Sequence, residues 1–370
     1  MNVGGIHYRT IWLDRNGRSV WVIDQTKLPH AFETVQLRAL QDVVVAIRNM
    51  VVRGAPLIGA TASYGMALAM RGNSSDSSIT TAYQQLLETR PTAINLKWAL
   101  EKMRGALMER PANERVDAAY ALAGQTCDED VALCKTIGEY GLPLLEEASE
   151  ALASKRPLNV LTHCNAGWLA TVDWGTALAP IYLAHDNEIP IHVWVDETRP
   201  RNQGAALTAW ELGQHGVPHT VVADNTGGHL MQRGLVDLCI TGTDRTAANG
   251  DVCNKIGTYL KALAARDNNV PFYVALPSPS IDWSIRDAAN DIPIEQRDGA
   301  EITNVTGESD DGKLVSVRIA PKSSATANYG FDITPARLLT GLITERGVCT
   351  ASADGLATLY PEHATLSDQC

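Results

Sequence analysis

Asp244 is a candidate catalytic residue, because it follows a short apolar run and precedes a turn rich in polar side chains. Leu238-Cys239-Ile240 is typical of a buried strand, and Thr241-Gly242-Thr243 carries the chain off its carboxyl end. Open α/β sheets bind their ligands at the carboxyl ends of the strands, so Asp244 is predicted to stand at a ligand crevice. An Asp in such a place is also a common turn or cap former, and both interpretations stay open.

Asn254 and Lys255 are candidate phosphate ligands a short distance downstream. The composition of residues 248–251 predicts a turn, and Asn254-Lys255-Ile256-Gly257 predicts the start of the next helix. A helix start offers unpaired N–H groups and the positive end of the helix dipole, which suit a phosphate. A Lys on a first helical turn is otherwise a solvated residue.

Cys164 ends another apolar run and is followed by Asn165-Ala166-Gly167. We expect it at a helix start, where a thiolate is favoured, although an inert buried cysteine is the alternative. His163 beside it points to the opposite face of an extended strand, which argues against a Cys-His dyad.

Arg199, Arg201 and Gln203 follow a further apolar run and precede a helical pattern. The two arginines could bind phosphate or pair with Asp196 and Glu197, and Gln203 could reach a sugar hydroxyl or remain a solvated loop amide. A carboxylate, a thiol, loop cations and an amide at the ends of different strands together suit a small hydroxylated phosphate ester.

Composition limits the classes of partner. The chain has 370 residues, a formal net charge of -11 and seven cysteines without a CxxC pair, which fits neither a disulfide framework nor a zinc site. The acidic balance argues against nucleic-acid and anionic-membrane surfaces. Since the sequence shows neither an 18-residue apolar run nor a signal peptide at its start, we expect a cytoplasmic protein.

The elements around these residues predict two domains, 1–154 and 155–370. The first thirty residues predict a β-hairpin with its turn at Asp14 to Gly17, and helical periodicity begins near Thr34. Arg53 is left on a loop before a buried helix over residues 57–70, and Arg90 precedes another helix. Two more helices are predicted over 113–130 and 131–153, which makes the N-terminal domain mostly helical.

Beyond residue 155 short apolar runs alternate with helical patterns, which predicts βαβ units and a Rossmann-like parallel sheet. A GxGxxG fingerprint for a dinucleotide is missing after the first strand. Residues 298–313 predict a flexible excursion, Thr334-Pro335 predicts a helix start that ends at Gly347, and the chain is expected to fray from about Ala351. The five predicted strands begin at residues 159, 191, 219, 238 and 272.

With these motifs on the page, the sequence resembles the S-methyl-5-thioribose-1-phosphate isomerase family of methionine salvage. The motifs occur in the same order through most of the chain. They are RGAP at 53–56, RPTAINL at 90–96, HCNAG at 163–167, DETRPRNQGA at 196–205, TDRTAANGDVCNKIGTY at 243–259, IPIEQR at 292–297 and FDITPARLL at 331–339.

The resemblance implies a helical N-terminal domain, a Rossmann-like C-terminal domain without nucleotide, and a homodimer that needs neither cofactor nor metal. It implies that Asp244 is the catalytic acid/base and that Cys164 is its partner across the substrate. The residues implied to bind the sugar phosphate are Arg53, Gly54, Ala55, Arg90, Gln203, Asn254 and Lys255.

The family's reaction poses a chemical problem. An aldose with phosphate on O1 has no free anomeric hydroxyl, so its ring does not open spontaneously. We expect Asp244, kept protonated by burial, to donate to the ring oxygen before hydrogen moves from C2 to C1.

Two alternatives remain at this point. The same chemistry could serve 5-deoxyribose 1-phosphate, alone or in addition, because the smaller substituent forfeits only a few kcal/mol of apolar contact. The chain could instead be a non-catalytic binding module, as are the regulatory subunits of the translation-initiation exchange factor that share the implied fold. The presence of both Cys164 and Asp244 favours an enzyme.

Overall fold

The protein is described by a computed structural model that covers residues 1–153 and 155–364. Five short strands open the chain, and the hairpin predicted around Asp14 to Gly17 is confirmed by the antiparallel pairing of β3 with β4. Helical structure begins later than predicted, because Thr34 to Leu37 pairs with β4 as a third strand. The strands are β1 (Asn2–Val3), β2 (Ile6–His7), β3 (Ile11–Leu13), β4 (Val20–Ile23) and β5 (Thr34–Leu37).

Five helices follow and share one apolar core. Nearly all of the second is buried, as its small and apolar residues predict. The two helices expected over 113–153 are one helix that continues through Pro143, where Gly138 and Gly141 pack closely on Ala179 and Pro180. The helices are α1 (Leu40–Arg48), α2 (Ala55–Gly72), α3 (Asp76–Leu87), α4 (Ile94–Met108) and α5 (Arg115–Ala151).

A seven-stranded sheet forms the centre of the second half, with the order β18-β17-β12-β9-β6-β7-β8. All five predicted strands occur in it, and they are parallel. The sheet is Rossmann-like, as expected. Its strands are β6 (Leu158–Thr162), β7 (Ile191–Asp196), β8 (His219–Val222), β9 (Leu238–Thr241), β12 (Phe272–Ala275), β17 (Gly341–Thr344) and β18 (Gly347–Cys349).

Helices cover both faces of this sheet, with one apolar cluster on each face. Because β9, β6 and β7 are neighbours, the chain segments that follow them meet at one edge of the sheet. The α-helices in the second half of the chain are α6 (Ala179–Asp186), α7 (Ala209–His215), α8 (Thr226–Gln232), α9 (Thr258–Asp267), α10 (Ala288–Asp291), α11 (Ala300–Thr303), α12 (Ala353–Leu359) and α13 (Pro361–Ala364).

A second, four-stranded sheet lies at that edge, in the order β13-β10-β11-β16. It overturns the prediction that Asn254 and Lys255 open a helix: both lie on β11, which pairs on both sides, and α9 begins only at Thr258. The helix predicted at Thr334-Pro335 is also wrong, because β16 is followed by a single 3₁₀ turn and then by β17. The strands are β10 (Arg245–Ala247), β11 (Val252–Lys255), β13 (Ile281–Asp282) and β16 (Phe331–Thr334).

Residues 298–313, predicted to be a flexible excursion, contain α11 and the strand β14 (Asn304–Glu308). This strand pairs antiparallel with β15 (Leu314–Arg318), which follows the segment and which the apolar run after Lys313 predicts. The prediction that the chain frays from about Ala351 is also wrong for the described part of the tail, since the Ser352 side chain caps α12 and Leu356 is buried. Cys370 lies outside the described residues, as does residue 154, and the division into two domains at that point stays a prediction. Within the described ranges, no helix is both long and apolar enough to cross a bilayer.

Candidate active site

All nine residues implied to form the site line a single pocket at the edge where the two sheets meet. The space between its walls, including the part open to solvent, is about 700 Å³. That volume lies within the range of small-molecule sites in general. The nine are Arg53, Gly54, Ala55, Arg90, Cys164, Gln203, Asp244, Asn254 and Lys255.

Cys164 follows β6 directly and adopts a left-handed backbone with φ of 66°. Its N–H donates to Thr198 Oγ1 at 2.9 Å, and its carbonyl oxygen accepts from Thr208 Oγ1 at 2.7 Å. Thr198 is also left-handed, with φ of 67°. Such conformations cost about 1–3 kcal/mol each in a non-glycine residue, so the surrounding structure holds both in place.

The expected helix start at Cys164 is wrong, because the chain turns there and forms only a short 3₁₀ helix beginning at Trp168. The thiol therefore lacks a helix dipole. Burial raises the pKa of Cys164, while the charges of Lys255 and Arg53 oppose the rise. The thiol form is favoured over the thiolate.

Asp244 lies in the loop after β9, and its N–H donates to the carbonyl oxygen of Cys253 on β11 at 3.0 Å. This bond ties the loop after β9 to the second sheet, and the Asp244 side chain lines the pocket. Desolvation raises the pKa of the carboxyl, and the charges of Lys255, Arg90 and Arg53 oppose the rise. The negative charge of Asp244 adds to the rise in the pKa of Cys164, so the two side chains lie close enough to interact electrostatically.

Arg53 and Gly54 lie on the loop between α1 and α2. Arg53 is buried, and its guanidinium donates to the side-chain and backbone oxygens of Asn165. Gly54 has φ of 93°, and a Cβ there would lie 2.4 Å from the carbonyl oxygen of Ala170, so only glycine fits. Ala55 then begins α2, whose N-terminal N–H groups and dipole border the pocket and suit an anion.

Glu211 on α7 supports Arg53 from behind, and the sequence analysis missed it. Asn165 donates to Glu211 Oε1 at 2.9 Å, and Leu169 N–H donates to Oε2 at 3.1 Å. A Cβ on Gly167 would lie 1.4 Å from Oε1, which explains the glycine of the HCNAG motif. Burial raises the pKa of Glu211 to about 8. The sequence signal that could have indicated Glu211 is an acidic residue on an otherwise apolar helix face.

Arg90 reaches the pocket from the loop before α4, and Lys255 reaches it from β11. Arg90 donates to Glu295 at 2.9 Å, but its Nε is buried and has no hydrogen-bond partner in the described part of the chain. Burial lowers the pKa of Lys255. Arg297 also lines the pocket and pairs with Glu295 at 2.6 Å. Sequence analysis used the IPIEQR motif for recognition but assigned Arg297 no role.

Gln203 is buried against the pocket, and no residue in the described ranges bonds its Oε1. Arg199 and Arg201 do not line this pocket, and the predicted alternative of pairing with Asp196 and Glu197 is wrong. Arg199 donates to the carbonyl oxygen of Ile302 at 2.9 Å and Arg201 to Glu301 at 3.0 Å, so both anchor the segment that leads into β14.

His163, Asp196 and Asp224 bring ligand-type atoms within 4.8 Å of one another. Their atoms are engaged elsewhere, however. Both Asp224 oxygens accept backbone N–H groups, from Thr198 and from Arg199, at 2.7 Å each. The ring of His163 bonds Asp196 and the carbonyl oxygen of Ile256, which agrees with the expectation that it forms no dyad with Cys164.

Comparison with known proteins shows which family the chain belongs to. Residues 51–351 match the initiation factor 2 subunit family. The chain belongs to that family. The methylthioribose-1-phosphate isomerase of Rhodospirillum rubrum is 64% identical over 368 residues, which are 98% of this chain and 94% of the relative. The resemblance inferred from the motifs is therefore confirmed.

Two solved structures of the family share the fold over nearly the whole chain. The 5-methylthioribose 1-phosphate isomerase of Pyrococcus horikoshii has a TM-score of 0.81 and 37% identity, with 96% of each chain covered. The translation initiation factor eIF-2B subunit delta of A. fulgidus has a TM-score of 0.77 and 36% identity, with 96% of this chain and 100% of that chain covered. The solved relatives thus carry names of both an enzyme and a translation factor.

Proposed function

We propose that this protein is an aldose–ketose isomerase that converts 5-methylthioribose 1-phosphate to 5-methylthioribulose 1-phosphate in methionine salvage. The observation that carries the proposal is the meeting of Cys164 and Asp244 in one pocket with four cationic side chains. A binding module has no need of a thiol and a desolvated carboxyl facing the same pocket. The names of the most similar curated relatives support the same substrate.

The cations and the start of α2 hold the phosphate in this proposal. Arg53, Lys255 and Arg297 supply charge from three different segments, and the buried Nε of Arg90 is a donor without a partner among the described residues. Gln203 and Asn254 bind the ribose hydroxyls. The Oε1 atom of Gln203 accepts no hydrogen bond from any of the described residues. A phosphate ester with hydroxyls satisfies both kinds of group.

Asp244 opens the ring. Its neutral carboxyl donates a proton to the ring oxygen while the bond between that oxygen and C1 breaks, and the electron pair of the bond stays on the oxygen. C1 becomes an oxocarbenium stabilised by the O1 that bears the phosphate, and Asp244 becomes a carboxylate beside Lys255. Desolvation raises the pKa of Asp244 above its usual range, which favours the protonated form that this step needs.

Hydrogen then moves from C2 to C1 within the substrate, so that C2 is oxidised and C1 reduced and no external redox cofactor is required. The neutral Cys164 thiol is a poor base, which favours transfer of the hydrogen with its electron pair to the electron-poor C1. The C2 hydroxyl loses its proton to the Asp244 carboxylate, and this restores the acid. The protein is in these terms an intramolecular oxidoreductase.

Parallel turnover assays on 5-methylthioribose 1-phosphate and 5-deoxyribose 1-phosphate test the proposal, with formation of the 1-phosphoketose followed for each. We expect turnover of the methylthio substrate and its loss in Asp244→Asn. Comparable turnover of the deoxy substrate would widen the substrate class without changing the chemistry. Absence of turnover of either substrate by folded wild-type protein would reject the isomerase and favour the binding module.

The homodimer implied by the resemblance and the cytoplasmic location expected from the sequence belong to the same proposal. Sedimentation equilibrium of the purified chain is expected to give twice the monomer mass of 39.9 kDa. A monomer at micromolar concentration would remove the dimer from the proposal and leave the pocket chemistry unchanged.

A further inference from the structure

His163 belongs to a buried cluster that the proposed chemistry does not use. Its Nε2 lies 2.8 Å from the carbonyl oxygen of Ile256, and its Nδ1 lies 2.9 Å from Asp196 Oδ2. The ring is 1% exposed and Asp196 is fully buried. A carbonyl oxygen only accepts hydrogen bonds, so Nε2 carries a proton. An ionised carboxylate also only accepts, so Nδ1 carries one as well.

Lys261 indicates where the proton of the hydrogen bond between His163 and Asp196 lies. Its ammonium lies 3.2 Å from the same Oδ2 of Asp196, and its side chain is 4% exposed. An ammonium only donates, so Oδ2 is an acceptor in both contacts, and the proton of its hydrogen bond with His163 lies on Nδ1. A second carboxyl, Asp332 on β16, faces both cations; burial raises its pKa, and the charges of His163 and Lys261 oppose the rise.

The ring also joins the two walls of the pocket. His163 immediately precedes Cys164 at the end of β6, whereas Ile256 immediately follows Lys255 at the end of β11. The turn packs on the ring itself, since a Cβ on Gly257 would lie 3.1 Å from both Cε1 and Nε2 of His163. The His163 side chain thus links the backbone next to Cys164 with the backbone next to Lys255.

We propose that His163 is a positioning residue, held as an imidazolium between Asp196 and the carbonyl oxygen of Ile256, that fixes Cys164 relative to Lys255. The two hydrogen bonds do the positioning, and the charge follows from making both at once. The roles of Cys164 and Lys255 rest on the proposed isomerase function, but the protonation of the ring does not.

The protonation is tested by ¹⁵N NMR of the full chain labelled with ¹⁵N-histidine, with His163 assigned by the signals lost in His163→Gln. Wild-type protein is expected to show two protonated ring nitrogens for His163 at neutral pH. In Asp196→Asn the amide oxygen takes the place of Oδ2, because Lys261 donates there, so both hydrogen bonds of the ring are expected to persist without the carboxylate charge. A non-protonated Nδ1 in the wild type would overturn the imidazolium.

Kinetics on 5-methylthioribose 1-phosphate test the positioning. Because small displacements of catalytic groups are costly, His163→Gln is expected to lower kcat by about tenfold or more, and Asp196→Asn to keep kcat within about threefold. His192→Gln is the matched control: this β7 histidine bonds Thr220 away from the pocket, and its loss is expected to leave kcat unchanged.

Folding of each variant is checked by circular dichroism, so that a loss of kcat is not a loss of structure. A folded His163→Gln protein with wild-type kcat would overturn the proposal. If that variant does not fold, Asp196→Asn decides: a large fall in kcat with both hydrogen bonds retained would overturn the claim that those bonds do the positioning. A wild type without turnover rejects the isomerase instead, and the NMR result stands by itself.

Discussion

A buried pair of cysteine and aspartate lies inside α5 and another lies in the pocket, and their surroundings differ. In α5 the thiol of Cys134 lies 3.9 Å from Asp130 Oδ1, and the other oxygen of Asp130 accepts Val172 N–H at 2.7 Å. Burial raises the pKa of Cys134 and raises that of Asp130 to about 7. The same residue types and the same desolvation therefore occur without any site being implied.

The pocket pair differs by its cations and by its access to a ligand. Lys255 and Arg53 oppose the effect of burial on both Cys164 and Asp244, whereas Arg9, the cation that acts on Asp130, is the smallest of the influences on its pKa. Asp244 opens onto a cavity, while the oxygens of Asp130 are bonded to the protein. Desolvation makes a carboxyl a proton donor, and the cavity and cations give that proton a substrate.

Exchange of each aspartate for asparagine should separate the pairs most strongly. Asp244→Asn removes the acid that opens the ring, and kcat is expected to fall by about 10²- to 10⁴-fold, the usual contribution of a positioned acid or base. Asp130→Asn keeps an acceptor for Val172 N–H and should leave kcat unchanged. Steady-state assays of both variants check this, and equal losses would show that burial, rather than place, is what matters.

Replacement of the thiols should give the second contrast. Cys164→Ala removes a side chain that lines the pocket and helps to hold the substrate in place for hydrogen transfer, and we expect kcat to fall by about a hundredfold. Cys134→Ala empties a small space in a packed helix interface, which should cost about 1 kcal/mol of unfolding free energy at unchanged kcat. Urea denaturation and turnover measured on the same samples distinguish the effects; a fully active Cys164→Ala would remove the thiol from the mechanism.

Removal of a cation should affect substrate binding more than turnover. A charged hydrogen bond contributes about 1.5–3 kcal/mol, so Lys255→Met is expected to raise KM for the sugar phosphate by about 10- to 100-fold. Lys135→Met removes an exposed lysine of α5 that pairs with Glu139 at 3.5 Å, and it should leave KM unchanged. An unaltered KM in Lys255→Met would place the phosphate elsewhere in the pocket.

The smallest effect concerns stability against pH. Since the folded pKa of Asp130 lies near 7 and its ordinary value near 3.8, the folded state holds a proton that the unfolded chain releases between these values. The contribution of Asp130 to the free energy of unfolding is therefore expected to decline as pH rises from about 4 to about 7, so Asp130→Asn should lose less stability than wild type over that range. Chemical denaturation at several pH values measures the difference; identical curves would show that Asp130 is ionised in the fold.

Much of the central sheet could be predicted because its strands are continuous apolar runs, and the helix over residues 57–70 because it is apolar on all sides. The pattern failed where pairing partners are distant in sequence. Asn254 and Lys255 carry no strand signal of their own, and β11 exists because β10 and β16 flank it. Thr34 to Leu37 is a strand for the same reason, through its pairing with β4.

The site shows the same limit. Asp244, Cys164 and Gln203 follow strands of one sheet, so topology could bring them together from the sequence. Arg53 and Arg90 come from the helical half, and it was family resemblance rather than spacing that assigned them to the pocket. Glu211 escaped notice because its role is to hold Asn165 and, through it, Arg53, which depends on packing that no local pattern records.

The pH dependence of kcat on 5-methylthioribose 1-phosphate tests the central claim most directly, because Asp244 must carry a proton in order to open the ring. Its pKa is raised by desolvation, so kcat is expected to be constant on the acid side and to fall as pH rises through that raised value. The residual rate of Asp244→Asn should lack this fall. A wild-type kcat that increases as Asp244 ionises would contradict the account, since the carboxylate would then be the active form.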